Sequence, residues 1–281
     1  MLNEMIDLAR DTGRIFAAAS AAGGSAVHRK QGIGNFVTDY DLRIQNYLYE
    51  NLKELQPDAS FVCEEGRCEI NSGPGTFIVD PIDGTANFIN GYGHSAVSIA
   101  YAENGQVRCG VVFNPYKDEM FYAGFGEGAF LNGQRIHSRR RPLEEGVVLF
   151  GTSSYDRGLT EVTFLLLKKL FEQSLDLRNT GSAALDICYV ASGKCDVFFE
   201  MMLSPWDYAA GSLILEEAGG VIQRIEGGPV SLTEPGSVLA ASAGSYQNCR
   251  NLWEIVGEGS ERCESISNTG YRDHSGQSRS I

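Results

Sequence analysis

The sequence of 281 residues predicts an α+β first half followed by an α/β second half, arranged in alternating helix and sheet layers. Two segments with helical spacing of apolar residues precede a series of short β-rich runs over residues 60–131. From residue 147 onward, strands and helices alternate along the chain, which is typical of an α/β unit. A basic segment ending in proline, at 138–142, separates the two patterns. We therefore expect one half over residues 1–141 and a second over residues 142–263.

The first half begins with two amphipathic helices. Apolar residues between 2 and 22 fall mostly on one helical stripe. Residues 39–55 repeat this spacing, with Thr38 or Asp39 as the residue that caps the helix. The β-rich runs that follow are separated by turn residues such as the Asn-Gly pair at 104–105, which predicts a hairpin.

The second half alternates between the two kinds of element. The predicted strands are 147–151, 195–200, 221–225 and 237–241. The predicted helices are 160–175, 182–192, 207–218 and 245–257. Residues 264–281 are rich in Ser, Asn, Gly and Arg, and this composition predicts a flexible tail.

The composition narrows the classes of function. The formal net charge is 23 − 36 = −13, so nucleic acid is not an expected partner, because phosphate backbones bind basic faces. No apolar run is long enough to span a membrane, and the N-terminus lacks the pattern of a signal peptide. The seven cysteines are odd in number and lie mostly in apolar segments, which predicts reduced thiols in a cytoplasmic protein.

The densest chemical signal is the segment Asp80-Pro81-Ile82-Asp83-Gly84-Thr85, which follows an apolar strand. Two carboxylates at the end of a strand, beside a free carbonyl group, offer the oxygen ligands that Mg²⁺ prefers. Glu64-Glu65 ends another predicted strand, and Asp207 opens a predicted helix. Three acidic elements favour convergence on one metal cluster. The alternatives are an acidic turn that caps a helix without a metal and, for Asp207, a simple N-cap.

With these motifs the sequence resembles the inositol monophosphatase family, a branch of the lithium-sensitive, magnesium-dependent sugar phosphatases. The resemblance implies the layered α-β-α-β-α sugar-phosphatase fold, with the metal site between the two halves. It covers nearly the whole chain except the tail. The matching segments are, in chain order, 35–41, 64–65, 80–88, 181–184, 199–200, 206–211 and 217–220.

The resemblance also implies roles in metal binding and catalysis. Two to three Mg²⁺ ions would be held by Glu64, Asp80, Asp83, Asp207 and the carbonyl group of Ile82. Thr85 and Glu64 would orient a metal-activated water. Asp41 would support Thr85, and Lys30 would lie near the phosphate group. The alternative for Lys30 is a plain surface lysine.

Substrate contacts follow from the same resemblance. They are implied for the backbone of Gly84, Thr85 and Ala86, for Gly181, Ser182 and Ala183, and for the carboxylate of Glu200. Glu200 lies seven residues before Asp207, a position that resembles the inositol branch, where a glutamate meets substrate hydroxyls. The alternative for Glu200 is an ordinary solvated charge at the end of its strand.

The implied activity is hydrolysis of inositol monophosphate or a similar polyol or sugar phosphate by a homodimer, with a small-molecule phosphate ester as the partner. The metal motifs cannot choose among related substrates, so three alternatives stay open: fructose 1,6-bisphosphate, histidinol phosphate and 3′-phosphoadenosine 5′-phosphate. A regulatory or binding protein on the same fold is the non-enzymatic alternative. The complete acidic set argues against lost catalysis.

Overall fold

The computed structural model describes residues 1–21, 27–29, 36–65, 69, 71 and 73–252. Lys30 and the predicted tail lie outside these residues. The helices are α1 (Leu2–Ala21), α2 (Asp39–Leu55), α3 (Thr85–Ile89), α4 (Thr160–Phe171), α5 (Ala183–Ala191), α6 (Pro205–Glu217) and α7 (Tyr246–Cys249). The strands are β1 (Val27–Arg29), β2 (Phe36–Thr38), β3 (Ser60–Cys63), β4 (Gly75–Asp83), β5 (Ala96–Glu103), β6 (Gln106–Asn114), β7 (Glu119–Gly124), β8 (Gly128–Leu131), β9 (Gln134–Arg135), β10 (Val147–Phe150), β11 (Asp176–Arg178), β12 (Val197–Leu203), β13 (Val221–Gln223) and β14 (Gly236–Ala241).

Hydrogen bonding arranges most strands in two mixed sheets. The seven-stranded sheet has the order β3-β4-β5-β6-β7-β8-β9, in which β3 and β4 are parallel and all later neighbours are antiparallel. The five-stranded sheet has the order β11-β10-β12-β14-β13. Its first three strands are parallel, and β14 is antiparallel to both of its neighbours. Strands β1 and β2 form a separate antiparallel pair.

The helices pack in three layers around these sheets. Helices α1 and α2 cover one face of the seven-stranded sheet, where Met5 and Phe77 belong to one buried cluster. Helices α5 and α6 share a second apolar cluster with residues of both sheets, so they lie between them. Helix α4 packs on the outer face of the five-stranded sheet, with Leu166 and Phe199 in a third cluster. The resulting order, α-β-α-β-α, confirms the predicted fold class.

A glycine permits the close packing of α6 on the seven-stranded sheet. Gly110 of β6 lies against the backbone of α6, and a Cβ atom at this position would approach the carbonyl oxygen of Ala210 to 2.6 Å. Neither backbone can yield at such a distance, so a larger residue would push the helix away. This contact keeps the middle of α6 near the seven-stranded sheet.

The sequence prediction fails mainly at short elements. Helix α4 ends at Phe171 rather than at residue 175, and the prediction missed β11, which pairs with the distant strand β10. Three residues carry too little periodicity to predict a strand that forms through a long-range pairing. Strand β12 extends to Leu203 rather than residue 200. Helix α7 spans Tyr246–Cys249, and residues 253–257 of the predicted helix lie outside the described part of the chain.

The two sheets fall on either side of the predicted boundary between the halves. Strand β9 ends at Arg135 and β10 begins at Val147, while the division at 141/142 itself stays a prediction. Within the described part of the chain, none of the helices has the length and apolar content that crossing a membrane requires.

Candidate metal centre and substrate cleft

Strand β4 carries two of the predicted metal ligands, Asp80 and Asp83, at its end. Its pairing with β5 is regular as far as Asp80 and shifts register before Asp83. Such an irregularity re-aims side chains that would otherwise point to opposite faces. Within it, the N–H of Ile82 donates to Oδ1 of Asp80 at 2.9 Å. The local backbone therefore fixes the Asp80 carboxylate from its own strand.

Strand β3 brings Glu64 to the same place. The two strands are parallel, with Cys63 opposite Val79, so the residue that follows β3 falls beside Asp80. The N–H of Glu64 donates to the carbonyl oxygen of Val79 at 3.2 Å. The carboxyl groups of Glu64 and Asp80 interact through a hydrogen bond and through charge. The two acids therefore lie side by side, while their role as metal ligands stays a prediction.

Helix α6 supplies the remaining acid, Asp207. The helix begins at Pro205, so Asp207 occupies its third position and the alternative of a simple N-cap at Asp207 is wrong. The N–H of Ser204 donates to Oδ2 of Asp207 at 2.7 Å, which fixes the carboxylate at the helix start. The hydroxyl of Ser98 in β5 donates to the carbonyl oxygen of Trp206 at 3.2 Å and ties this turn to the sheet.

These elements create a cluster of like charges. One carboxylate oxygen each of Asp80, Asp83 and Asp207 lies within 4.8 Å of the others. Burial raises the pKa of Asp80 and Asp207 well above that of a free aspartate, and the neighbouring acids add to the rise. Burial also raises the pKa of Asp83 to about 6, although hydrogen bonds from Ser182 and the start of α5 oppose the rise.

The donor set suits a hard divalent cation. All the converging groups are carboxylate oxygens, which Mg²⁺ prefers over nitrogen or sulfur ligands. Without a cation, burial and mutual repulsion favour the forms of these acids that retain protons. A bound cation would take the place of those protons. The family-implied Mg²⁺ therefore fits the residues present.

Thr85 and Asp41 form a hydrogen-bonded pair beside the cluster. The hydroxyl of Thr85 lies 3.0 Å from the carbonyl oxygen of Ile82 and 3.4 Å from Oδ1 of Asp41. Asp41 is buried in the first turn of α2, where the N–H of Thr38 donates to its Oδ2 at 2.7 Å. Burial raises the pKa of Asp41, and the hydrogen bonds from Thr38 oppose the rise. The support of Thr85 by Asp41 agrees with the expected arrangement, while its catalytic role stays a prediction.

Gly84 connects the acidic strand to helix α3. Its φ of +85° lies in the left-handed region, which favours glycine. A Cβ atom here would also approach the carbonyl oxygen of Gly181 to 2.9 Å. The predicted phosphate-side and substrate-side segments therefore meet at two glycines, one from each half of the chain.

A cleft of about 340 Å³ adjoins the acidic cluster. It lies at the small end of the range for ligand sites. The structure brings together in its wall the predicted residues Asp83, Ala86, Gly181, Ser182, Ala183, Glu200 and Asp207. Their contacts with a substrate stay predictions.

Ser182 has a partner that the sequence did not indicate. Its hydroxyl donates to Oδ2 of Asp83, and the N–H of Ala184 donates to the same oxygen at 3.0 Å. The start of α5 is thereby attached to the acidic cluster. The hydroxyl of Ser182 thus positions Asp83. Only the backbone of the segment around Ser182 then remains for contacts with a substrate in the cleft.

Glu200 lies inside β12 rather than at its end, because the strand continues to Leu203. The residue is 9% exposed, so the alternative of a solvated strand-end charge is wrong. Burial raises its pKa to about 7, against hydrogen bonds from Ser153. The N–H of Ser153 donates to Oε1 of Glu200 at 2.8 Å. At Gly151, a Cβ atom would overlap the Glu200 carboxylate.

Sequence reasoning missed several residues of the cleft. Asp186 is 1% exposed in α5, lines the cleft and accepts a hydrogen bond from the hydroxyl of Thr180 at 2.5 Å. An acid within the apolar run of α5 was a signal for it. The side-chain amide of Asn87 donates to the carbonyl oxygens of His94 and Thr180, both at 2.7 Å, and joins the two halves. The loop residue Tyr155 carried no sequence signal.

The sequence profile of the Inositol monophosphatase family matches residues 1–257 of the chain. The chain is 37% identical over 243 residues to the Nus factor SuhB of Haemophilus influenzae, a match that covers 86% of this chain and 91% of that protein. It is 36% identical over 230 residues to the Nus factor SuhB of Escherichia coli, covering 81% and 86% of the two chains. The net charge predicted that nucleic acid is not a partner. These relatives, which are named as Nus factors, give that prediction no support.

Solved structures show the same fold. The extragenic suppressor protein suhB of Bartonella henselae superposes with a TM-score of 0.83 at 32% identity, covering 92% of this chain and 98% of that one. An IMPase of Thermotoga maritima gives a TM-score of 0.80 at 32% identity, with coverage of 92% and 98%. SaIMPase-II bound to inositol monophosphate gives 0.77 at 25% identity, with coverage of 91% and 95%.

Proposed function

The chain belongs to the inositol monophosphatase family, and on that premise we propose that it hydrolyses phosphate monoesters of inositol or a similar polyol with Mg²⁺ as cofactor. The observation that carries the proposal is the buried cluster of Asp80, Asp83 and Asp207 beside a cleft whose wall includes Glu200. Acidic groups at one end of the cleft suit a cation that binds phosphate. The buried acceptor at Glu200 suits the hydroxyl groups of an alcohol.

The proposed metal ligands are Glu64, Asp80, Asp83, Asp207 and the carbonyl oxygen of Ile82. When bound, Mg²⁺ supplies positive charge that offsets both the acidic cluster and the charge of a phosphate ester. This resolves the conflict between a net charge of −13 and an anionic substrate, because the sign of the local field is reversed at the site.

Thr85 is proposed to orient the attacking water together with Glu64. The hydroxyl proton of Thr85 is directed to the carbonyl oxygen of Ile82 or to Asp41, which leaves a lone pair of the hydroxyl oxygen free to accept a hydrogen bond from a water. Asp41 is itself held by Thr38, so the hydroxyl has a fixed direction. Orientation of this kind lowers the entropic cost of attack on phosphorus.

The alcohol part of the substrate is proposed to contact Glu200, and the phosphate to contact the backbone N–H groups of Gly84, Thr85 and Ala86. A carboxylate accepts hydrogen bonds from two neighbouring hydroxyl groups, which suits a polyol. The same carboxylate repels a second phosphate, which disfavours a bisphosphate substrate. The proposal extends, through the family resemblance, to inhibition by Li⁺, a homodimer and a cytoplasmic location.

Phosphate release from myo-inositol 1-phosphate tests the proposal, with Mg²⁺ and with a chelator. The wild-type chain should release phosphate only with Mg²⁺, and Asp80→Asn should abolish the release. Asp118→Asn makes the same chemical change on an exposed turn and should behave as wild type. Release that is independent of Mg²⁺, or full activity in Asp80→Asn, would contradict the assignment.

A second candidate function follows from the name of the relatives, which is that of a Nus factor. Identity of 36–37% over most of the chain favours a shared role. Mg²⁺ binding in calorimetry without phosphate release from any ester in a panel of inositol, sugar, histidinol and nucleotide phosphates would favour this second function over the hydrolase. Release from any of them at an enzymatic rate favours the hydrolase.

A further inference from the structure

Tyr155 differs from the other exposed large side chains of the described residues. It is 47% exposed and it lines the cleft together with Glu200 and Asp207. The other exposed large apolar or aromatic side chains of the described residues lie outside the cleft wall: Leu42, Tyr92, Phe125, Phe164, Phe171 and Leu175. An aromatic ring that is open to solvent at a ligand cleft is available to a ligand.

The hydroxyl group of Tyr155 anchors this ring. It donates to the carbonyl oxygen of Met202 in β12 at 2.6 Å. Two residues earlier, the N–H of Ser153 donates to Glu200, and one residue later Asp156 accepts a hydrogen bond from the N–H of Gly158 at 2.9 Å. The loop is thus fixed on both sides of Tyr155, and the ring is held in place before a ligand arrives. A group held in advance loses little entropy when it binds.

The surroundings of the ring are polar and acidic. The pKa of the Tyr155 hydroxyl is raised because the hydroxyl end of the side chain is buried, and the charges of Asp207 and Glu200 add to the rise, so the hydroxyl remains a neutral donor. Glu200 and Asp186 lie in the same cleft wall and are hydrogen-bond acceptors. A ligand at this end therefore meets acceptors for hydroxyl groups and one exposed aromatic face.

A cyclic polyol matches this combination. Its hydroxyl groups donate hydrogen bonds, while the C–H groups of its ring form an apolar face. An aromatic ring covers such a face at a small entropic cost, because it has only two side-chain torsions. An open-chain polyol has no such rigid face and gains less from the contact.

We infer that Tyr155 is a specificity-determining residue, whose ring packs on the C–H face of a cyclic polyol phosphate and favours it over an acyclic phosphate ester. The inference rests on the proposed function, since it concerns the alcohol part of that substrate. Glu200 is proposed to select for hydroxyl groups through its charge, and Tyr155 would select in addition for the shape of the ring. The cleft then distinguishes alcohols by ring structure as well as by hydroxyl groups.

The test compares myo-inositol 1-phosphate with glycerol 2-phosphate, which has hydroxyl groups but no ring. The measured quantity is the ratio of the KM values for the two esters. Tyr155→Ala should shift this ratio about tenfold against the cyclic ester, comparable to the loss of a small apolar contact. Tyr155→Phe retains the ring and should shift the ratio by less than about threefold. Phe164→Ala removes an exposed aromatic ring outside the cleft and should leave the ratio unchanged.

Calorimetric binding of myo-inositol 1-phosphate and of inorganic phosphate separates this inference from the proposed function. Tyr155→Ala should weaken binding of the ester about tenfold relative to binding of inorganic phosphate. If the wild-type chain binds the ester but releases no phosphate, the proposed function fails. The ratio of the affinities for the ester and for inorganic phosphate still shows whether Tyr155 contacts the alcohol. Equal losses for both ligands, or no loss for either, would overturn the inference.

Discussion

The metal end and the alcohol end of the cleft are held together by different forces. At the metal end, Asp80 and Asp83 lie on a long buried strand, and their nearest charged neighbours are other acids. At the alcohol end, Glu200 is held by hydrogen bonds from Ser153 in a loop. The arrangement at the metal end therefore depends on the charges of these acids. Any change of charge there alters the binding of a cation and with it the reaction. The alcohol end depends on loop geometry, which is able to change without loss of the reaction.

The largest expected effect belongs to the metal end. Asp80→Asn removes one charge from the centre of the cluster, so Mg²⁺-dependent phosphate release should fall on the order of 10³-fold or more. The same substitution removes a buried acid that ionises freely only in the unfolded chain, so the melting temperature of the metal-free protein at neutral pH should rise. Both are measurable, by phosphate release and by thermal unfolding with a chelator. An active variant with an unchanged melting temperature would mean that charge does not dominate at this end.

Thr85 tests whether orientation can be separated from charge at the metal end. Thr85→Ala removes the hydroxyl that points to Ile82 and Asp41, while all four carboxylates remain. Turnover should fall on the order of 10²-fold or more, and Mg²⁺ affinity in calorimetry should stay within about threefold of wild type. Thr85→Ser restores the hydroxyl and should recover most of the rate. A parallel loss of Mg²⁺ affinity would show that Thr85 supports the metal site instead.

The contrast between the two ends also explains what the sequence could predict. Asp80, Asp83 and Glu64 follow apolar runs that can be recognised as strands, so their convergence was predictable from the ends of elements. Ser153 acts on Glu200, which is 47 residues later in the chain, through the packing of an irregular loop on β12. No periodicity records such a contact. The same holds for β11 and for the full length of β12, which depend on pairing with distant strands.

Glu200 should give an intermediate effect that is limited to the alcohol. Glu200→Gln keeps the shape of the side chain and should lower kcat/KM for myo-inositol 1-phosphate about ten- to hundredfold, because charge-assisted hydrogen bonds are lost. p-Nitrophenyl phosphate has no hydroxyl groups to bind, so its kcat/KM should fall by less than about threefold. Equal losses on both esters would mean that Glu200 supports the metal end.

The same residue predicts a dependence on pH. The pKa of Glu200 is raised to about 7, so its carboxyl group ionises as the pH passes that value. The ionised form accepts hydrogen bonds from hydroxyl groups, so KM for myo-inositol 1-phosphate should fall as the pH rises through about 7. Glu200→Gln should lack this step. A step that persists in the variant would assign the titration to another group.

Stability of the metal end should respond to pH and to Mg²⁺ in opposite directions. The folded protein holds the proton of Asp83 more tightly than the unfolded chain does, with a pKa of about 6 against 3.8. This contribution to stability is present below pH 3.8 and is lost as the pH rises through about 6. Mg²⁺ at about 100 times its Kd should then restore about 2.7 kcal/mol. The check is thermal unfolding of the metal-free protein. A melting temperature that rises from about pH 4 to about pH 8 would contradict the expected loss of stability.

The smallest effect is expected in the loop that holds the alcohol end. Ser153 has a φ of +44°, a conformation that costs a residue other than glycine about 1–2 kcal/mol. Its hydroxyl oxygen accepts from the N–H of Met202 at 3.1 Å, and its own N–H holds Glu200. Ser153→Gly loses the hydroxyl but relieves the strain, so the free energy of unfolding should stay within about 1 kcal/mol of wild type.

Ser153→Ala is the matched variant, because it loses the same hydroxyl and keeps the strain. It should be less stable than Ser153→Gly by about 1 kcal/mol, measured by urea unfolding. Both variants retain the N–H bond to Glu200, so KM for myo-inositol 1-phosphate should change by less than about fivefold in either. If alanine were as stable as glycine here, the loop would not be strained. The alcohol end would then be as rigidly built as the metal end, and the contrast between them would rest on charge alone.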